Sequence, residues 1–119
     1  MEGKRKTIII VDDDITNLNI ARNILIQKYD VFTVPSGKKL IQILEKISPD
    51  LILLDLEMPE MNGYEVLELL KSKDSSAGIP VIFLSATLNP EGNGDIDSIT
   101  KPFSGEFLLE RMEAYLGEA

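Results

Sequence analysis

Three consecutive carboxylates, Asp12, Asp13 and Asp14, follow directly on the apolar run Ile8–Val11, and a fourth, Asp55, ends the run Leu51–Leu54. A hydroxyl, Ser85, ends a third run, Val81–Leu84, and a cation, Lys101, stands immediately before Pro102. Carboxylates crowded into one place raise one another's pKa unless a cation intervenes. The chain has no His and no Cys, so the donors on offer are hard oxygens, which suit Mg2+ better than zinc or copper. A Lys and a Ser that converge on the same carboxylates can grip a phosphoryl group, and a carboxylate that attacks phosphorus forms an acyl phosphate. The chemistry these residue types allow is Mg2+-dependent phosphoryl transfer to an aspartate.

For that chemistry the scattered positions must meet, and the apolar pattern says how. Ile8–Val11, Leu51–Leu54 and Val81–Leu84 are apolar without alternation, as strands buried on both faces of a parallel sheet are. Val31–Val34 supplies a further strand and the segment Ile96–Thr100 the last. Helical spacing joins Ile15, Leu18, Ala21 and Leu25 in the stretch from Ile15 to Lys28, and Leu40, Ile43, Leu44 and Ile47 after Ser36-Gly37. Val66, Leu67 and Leu70 mark a helix behind Asn62 as N-cap, and Leu108, Met112 and Tyr115 form the inward stripe of a last helix capped by Ser104. This alternation predicts an α/β domain whose mostly parallel five-stranded sheet carries helices on both faces. Ligands of such sheets bind beyond the carboxyl ends of the strands, where Asp12, Asp13, Asp14, Asp55, Ser85 and Lys101 all fall.

A length of 119 residues fits one domain spanning residues 1–119, and 44% hydrophobic with 27% charged residues is ordinary for a packed core. Twelve Lys and Arg against 20 Asp and Glu leave a net charge of −8, which repels phosphate backbones and argues against direct nucleic-acid binding. The one basic run, Lys4-Arg5-Lys6, reads as a solvated, frayed end. Without Cys there is no disulfide framework or thiol catalysis, and without His the usual general base is missing. The longest apolar runs have four residues, against ~20 needed to span a bilayer, and no signal-peptide core opens the chain. The expectation is a soluble cytoplasmic protein with no membrane contact.

Four motifs in this order resemble the receiver domain of two-component response regulators over nearly the whole chain. They are Ile8–Asp14, the stretch Pro49–Gly63 containing Asp55-Leu56-Glu57-Met58-Pro59, the pair Ser85-Ala86, and Lys101-Pro102-Phe103. The resemblance implies the flavodoxin-like, three-layer fold with strand order 2-1-3-4-5. It also implies that Asp55 is the phosphoacceptor, that Asp13 and the Glu57 backbone carbonyl bind Mg2+ together with Asp55, and that Asp12 contributes to the pocket largely through water. Ser85 becomes the switch hydroxyl, Lys101 the counter-cation of the phosphoryl group, and Glu57 and Thr87 the side chains that flank the attacking water and tune phosphoryl lifetime. Such a domain is not a metabolic enzyme; it catalyses only its own phosphorylation and dephosphorylation. Because the chain lacks His, the phosphohistidine must come from another protein, a sensor histidine kinase or a histidine phosphotransfer domain, or a small phosphodonor must replace it.

The sequence also departs from that family. Receivers usually place a full helix between the switch hydroxyl and the last strand. Here the Ala86–Thr100 segment is short, and Asn89–Asp95 is so rich in Pro, Gly and Asn that this helix is predicted to be absent or reduced to a turn. The sheet face left bare would need an effector domain or a second copy of the chain to cover it. The position three before Lys101, commonly aromatic in receivers, is Ser98, so an aromatic rotamer switch cannot operate there.

Two other readings compete. A degenerate receiver would keep the acidic pocket but act as an interaction module independent of phosphorylation. A haloacid-dehalogenase-type phosphatase would use Asp12-Asp13-Asp14-Ile15-Thr16 as its DxDxT motif, with Asp12 as nucleophile and Asp14 as acid/base. The second lacks a late acidic pair at a strand end and leaves Asp55 with its Met-Pro-Glu-Met-Asn-Gly sequel unexplained. Asp14 can equally be a helix cap and nothing more.

Overall fold

Unbroken apolar runs become the centre of a parallel sheet whose strand order is β2-β1-β3-β4-β5. The structure is a computed structural model and describes residues 5–58, 61–85, 98–101 and 103–117. The strands are β1 (Thr7–Val11), β2 (Asp30–Val34), β3 (Leu51–Asp55), β4 (Val81–Ser85) and β5 (Ser98–Thr100). The helices are α1 (Ile15–Leu25), α2 (Gly37–Ile43), α3 (Gly63–Lys71), the single turn α4 (Asp74–Ala77), and α5 (Gly105–Leu116). Every strand pair is parallel, with Val11 beside Leu54 and Asp55 beside Leu84. This is the flavodoxin-like order that the resemblance implies.

Because successive strand residues face opposite ways, each buried run feeds two cores. Ile8, Ile10, Leu51, Leu53, Ile82, Leu84 and Ile99 pack under Leu18, Ala21 and Leu25 of α1 and Leu108 and Met112 of α5. On the other face Ile9, Val11, Ile52, Leu54 and Phe83 pack under Leu40 of α2 and Val66 and Leu70 of α3. The helices start where their caps dictate. Asp14 accepts from the backbone of Thr16, Ser36 from Lys39, and Ser104 from Phe107, while Asn62 and Glu65 form a reciprocal capping box at α3.

Several expectations need correction. Ile15 is 69% exposed and Tyr115 45% exposed, so neither belongs to the core. Ile15 occupies the first helical position, beside the cap and past the sheet edge. In α5 the buried stripe runs through Leu108, Leu109, Met112 and Leu116, and Tyr115 lies to its side against the Arg111 guanidinium, 6.0 Å from its ring centroid. Arg5 is exposed but not frayed: it donates to the carbonyls of Ile26 and Tyr29, the latter at 2.8 Å, and so closes the end of α1. The turn α4 was not foreseen, nor was the burial of Tyr29 at 1% exposure. The expected loss of the helix between β4 and β5, the bare face it would leave, and Thr87 lie outside the described residues. Among the described residues no helix is long and apolar enough to cross a membrane.

Candidate functional site

Parallel strands deliver their carboxyl ends to one edge, and that edge gathers the charged groups. Asp12 leaves β1 one residue beyond Val11, and Asp55 closes β3, so the pairing of Val11 with Leu54 sets the two carboxylates side by side. They are 1% and 2% exposed, a burial that carboxylates tolerate only with partners. Asp13, the next residue, is exposed at the rim. One carboxylate oxygen from each of Asp12, Asp13 and Asp55 lies within 4.8 Å of the others, a grouping that can hold a metal ion. Three hard oxygen donors with no imidazole or thiolate nearby fit Mg2+.

Lys101 offsets part of the charge of the buried pair. Its Nζ lies 3.1 Å from Asp12 Oδ2 and 3.2 Å from Asp55 Oδ1, and the Lys101 backbone N–H donates to the Ser85 carbonyl at 2.7 Å. Burial works against the Lys101 charge, but its hydrogen bond to Asp12 and the attraction of both carboxylates outweigh burial and raise its pKa. For Asp55, burial and then repulsion from Asp12 push the pKa up from 3.8 to about 6. The Glu57 N–H and Lys101 pull in the other direction without restoring the ordinary value. A carboxylate this uncomfortable is primed to accept a cation or a covalent partner.

The surrounding backbone supports the arrangement. Asp12 Oδ1 accepts the Asp14 N–H at 2.9 Å, which turns the chain into α1, and Asp55 Oδ1 accepts the Glu57 N–H at 3.2 Å. With Lys101 and Glu57 both on Oδ1, no bond is assigned to Asp55 Oδ2 among the described residues. Asp14 is exposed, and its Oδ1 caps α1 through Thr16 and Asn17 at 2.9 and 3.4 Å. It serves the helix and stands outside the carboxylate cluster.

Of the residues singled out from the sequence, Asp12, Asp13, Asp55 and Lys101 meet directly. Ser85 is buried at the end of β4, paired with Thr100 of β5, one residue from Lys101. Glu57 touches Asp55 through its backbone N–H, and its side chain is exposed. Gly63, which closes the motif stretch Pro49–Gly63, presses against the backbone that carries Asp55. An added Cβ there would lie 2.9 Å from the Asp55 carbonyl oxygen and 2.9 Å from Leu56 Cα. The only signal in the chain is a Gly at the first position of a well-capped helix, where many residues would serve.

The sequence matches the response regulator receiver domain family over residues 8–113. It is 31% identical over 121 residues to the polar-differentiation response regulator DivK of Brucella anthropi, covering 96% of this chain and 98% of DivK. It is 40% identical over 116 residues to a probable cyclic di-GMP phosphodiesterase of Vibrio cholerae, covering 92% of this chain but 26% of that protein. Thus the chain spans about a quarter of the phosphodiesterase and nearly all of DivK. The fold is similar to that of the Vibrio cholerae chemotaxis protein CheY4, with a TM-score of 0.88 at 25% identity over 94% of this chain and 99% of that one.

Proposed function

The chain belongs to the response regulator receiver domain family, and from that premise we propose that Asp55 is its phosphorylated residue and that residues 1–119 form one receiver domain. The receiver role in two-component signalling comes with the family; the assignment of individual residues is our reading of the site. The observation that carries it is the buried Asp55 carboxylate, held on one oxygen by Lys101 Nζ at 3.2 Å and the Glu57 N–H at 3.2 Å. Those two donors orient the carboxylate, and its second oxygen is the nucleophile in this reading.

In the transfer, an Asp55 oxygen attacks phosphorus, a P–O bond forms, and the P–N bond of a phosphohistidine breaks. The imidazole nitrogen leaves with the bonding electron pair, and a proton already on the other ring nitrogen makes the departing ring neutral. Lys101, freed from carboxylate charge that the new acyl phosphate no longer carries, turns its ammonium to the phosphoryl oxygens, and the Ser85 hydroxyl donates to another. Asp13, Asp55 and the Glu57 carbonyl would hold Mg2+, with Asp12 contributing through water, and the bound ion would supply charge neutralisation at the phosphoryl oxygens. Glu57 and Thr87 set how easily water reaches the acyl phosphate.

The phosphoryl donor is a sensor histidine kinase or a histidine phosphotransfer domain, because a chain without His cannot supply its own phosphohistidine. An effector domain takes the output, and Mg2+ is the cofactor. The protein works in the cytoplasm as a signalling switch and turns over no metabolite. Against the phosphatase reading stands Asp14, whose Oδ1 is committed to capping α1.

The test is intact-protein mass spectrometry after incubation with acetyl phosphate, with and without Mg2+, on wild type and Asp55→Asn. One phosphoryl adduct that requires both Mg2+ and Asp55 is the expected result. An adduct that persists in Asp55→Asn overturns the assignment, and no adduct in a wild type that binds Mg2+ would point to a phosphorylation-independent interaction module.

A further inference from the structure

We propose that Gly63 is a positioning residue for the metal site, acting through Leu56 and the Glu57 backbone; the inference rests on the receiver reading above. Leu56 is clamped from two sides. Its N–H donates to the Leu84 carbonyl at 3.0 Å, and its own carbonyl accepts the Gly63 N–H at 3.0 Å. The next residue is Glu57, whose N–H holds Asp55 Oδ1 at 3.2 Å. The first residue of α3 is thus one hydrogen bond away from the segment that orients the phosphoacceptor.

The clamp closes only because position 63 has no side chain. A Cβ would stand 2.9 Å from the Asp55 carbonyl oxygen, 2.9 Å from Leu56 Cα and 2.9 Å from Leu56 Cδ2. Two of those three atoms are backbone, so a rotamer change cannot relieve the contact. Carbon atoms rest at about 3.5 Å or more, so Leu56 and α3 must separate by at least ~0.5 Å. Val66 and Leu70, buried beneath α3 against the sheet, resist movement on the α3 side. The displacement therefore falls largely on Leu56 and Glu57. Half an ångström added to the 3.2 Å Glu57–Asp55 bond takes it past hydrogen-bond reach. The same shift moves the Glu57 carbonyl, which the receiver reading makes a Mg2+ ligand, and losses of such supporting contacts weaken metal sites about 10-fold or more.

The test compares Gly63→Ala with Leu70→Val. Leu70 is a buried residue farther along α3, so its truncation loosens the same helix without adding an atom beside Asp55 or Leu56. Mg2+ affinity is measured by titration of the metal-free proteins, stability by urea unfolding, and the Glu57 amide resonance by NMR in the absence of metal. Gly63→Ala is expected to weaken Mg2+ binding about 10-fold and to shift the Glu57 amide, whereas Leu70→Val loses stability but keeps its Mg2+ affinity within about 2-fold. Equal Mg2+ affinities in the two variants, with an unmoved Glu57 amide, overturn the proposal. If Gly63→Ala does not fold, Asn62→Ala takes its place. That variant loosens the first turn of α3 and with it the Gly63 N–H that holds the Leu56 carbonyl, and an unchanged Mg2+ affinity and Glu57 amide in it overturn the proposal equally. A wild type that binds no Mg2+ counts against the receiver reading itself, whereas a Glu57 amide that moves in metal-free Gly63→Ala still upholds the positioning role.

Discussion

Replacing Asp55 with Asn should make the metal-free protein more stable at neutral pH. The Asp55 carboxyl is 2% exposed and its pKa is pushed from 3.8 to about 6, by burial first and by Asp12 second. A carboxyl whose folded pKa is raised binds more protons in the native state than in the unfolded one between those two values. Stability is therefore unaffected well below pH 4, falls as pH rises through the window from about 4 to 6, and stays reduced above it. About two pH decades at 1.36 kcal/mol each put the penalty at ~3 kcal/mol at pH 7. Asn has the same shape and no charge, so it removes the penalty while still accepting from Lys101 and the Glu57 N–H. Some of the gain is lost because an amide fills the carboxylate's place imperfectly, leaving an expected increase of ~1–3 kcal/mol, or several degrees in Tm for a domain of this size.

Urea unfolding followed by circular dichroism in EDTA, at several pH values from 4.5 to 7.5, measures this. The advantage of Asp55→Asn should grow with pH across that range at an unchanged m-value. Mg2+ should then stabilise wild type by RT ln(1 + [Mg2+]/Kd), ~1.4 kcal/mol at ten times Kd, and leave the variant almost unmoved. If Asp55→Asn is equally stable or less stable than wild type at pH 7 in EDTA, or if the difference does not vary with pH, the account of Asp55 as a strained, cation-seeking carboxylate is wrong.

Lys101→Met leaves Asp12 and Asp55 buried without their cation, so the metal-free protein should lose ~2–4 kcal/mol at pH 7 in urea unfolding and less at pH 5, where Asp55 is protonated. A loss equal at both pH values would show that packing, and not charge, is what Lys101 contributes. Tyr29→Phe removes a buried hydroxyl that has no hydrogen-bond partner among the described residues, so stability at pH 7 should be unchanged or rise by ~1 kcal/mol. Burial raises the Tyr29 pKa, with Glu113 adding to the effect, so wild type should also lose stability above pH 10 in a way that the Phe variant does not. A Phe variant clearly less stable at pH 7 would mean that the hydroxyl is bonded in solution.

The strands, their order along the chain and the gathering of carboxylates at one sheet edge were legible in the sequence because their causes are local. An apolar run without alternation, such as Ile8–Val11 or Leu51–Leu54, is what a strand buried on both faces requires, and a charge placed just after it must emerge at the sheet's carboxyl edge. Caps are equally local, and Asp14, Asn62 and Ser104 begin helices by bonding backbone only two or three residues away. Long-range packing decided the rest. Periodicity identified the α1 and α5 stripes but could not say where the sheet ends beneath them, which is why Ile15 and Tyr115 are exposed. Nothing near Tyr29 or Arg5 foretold that one would be buried and the other would close α1, since both outcomes depend on how the end of that helix meets the rest of the chain. Lys101 lies 89 residues from Asp12, and only the register of β5 beside β4 brings its ammonium to the buried carboxylates. The elevated pKa of Asp55 likewise arises from burial and a neighbour across β1 and β3, forces that exist only once the sheet has closed.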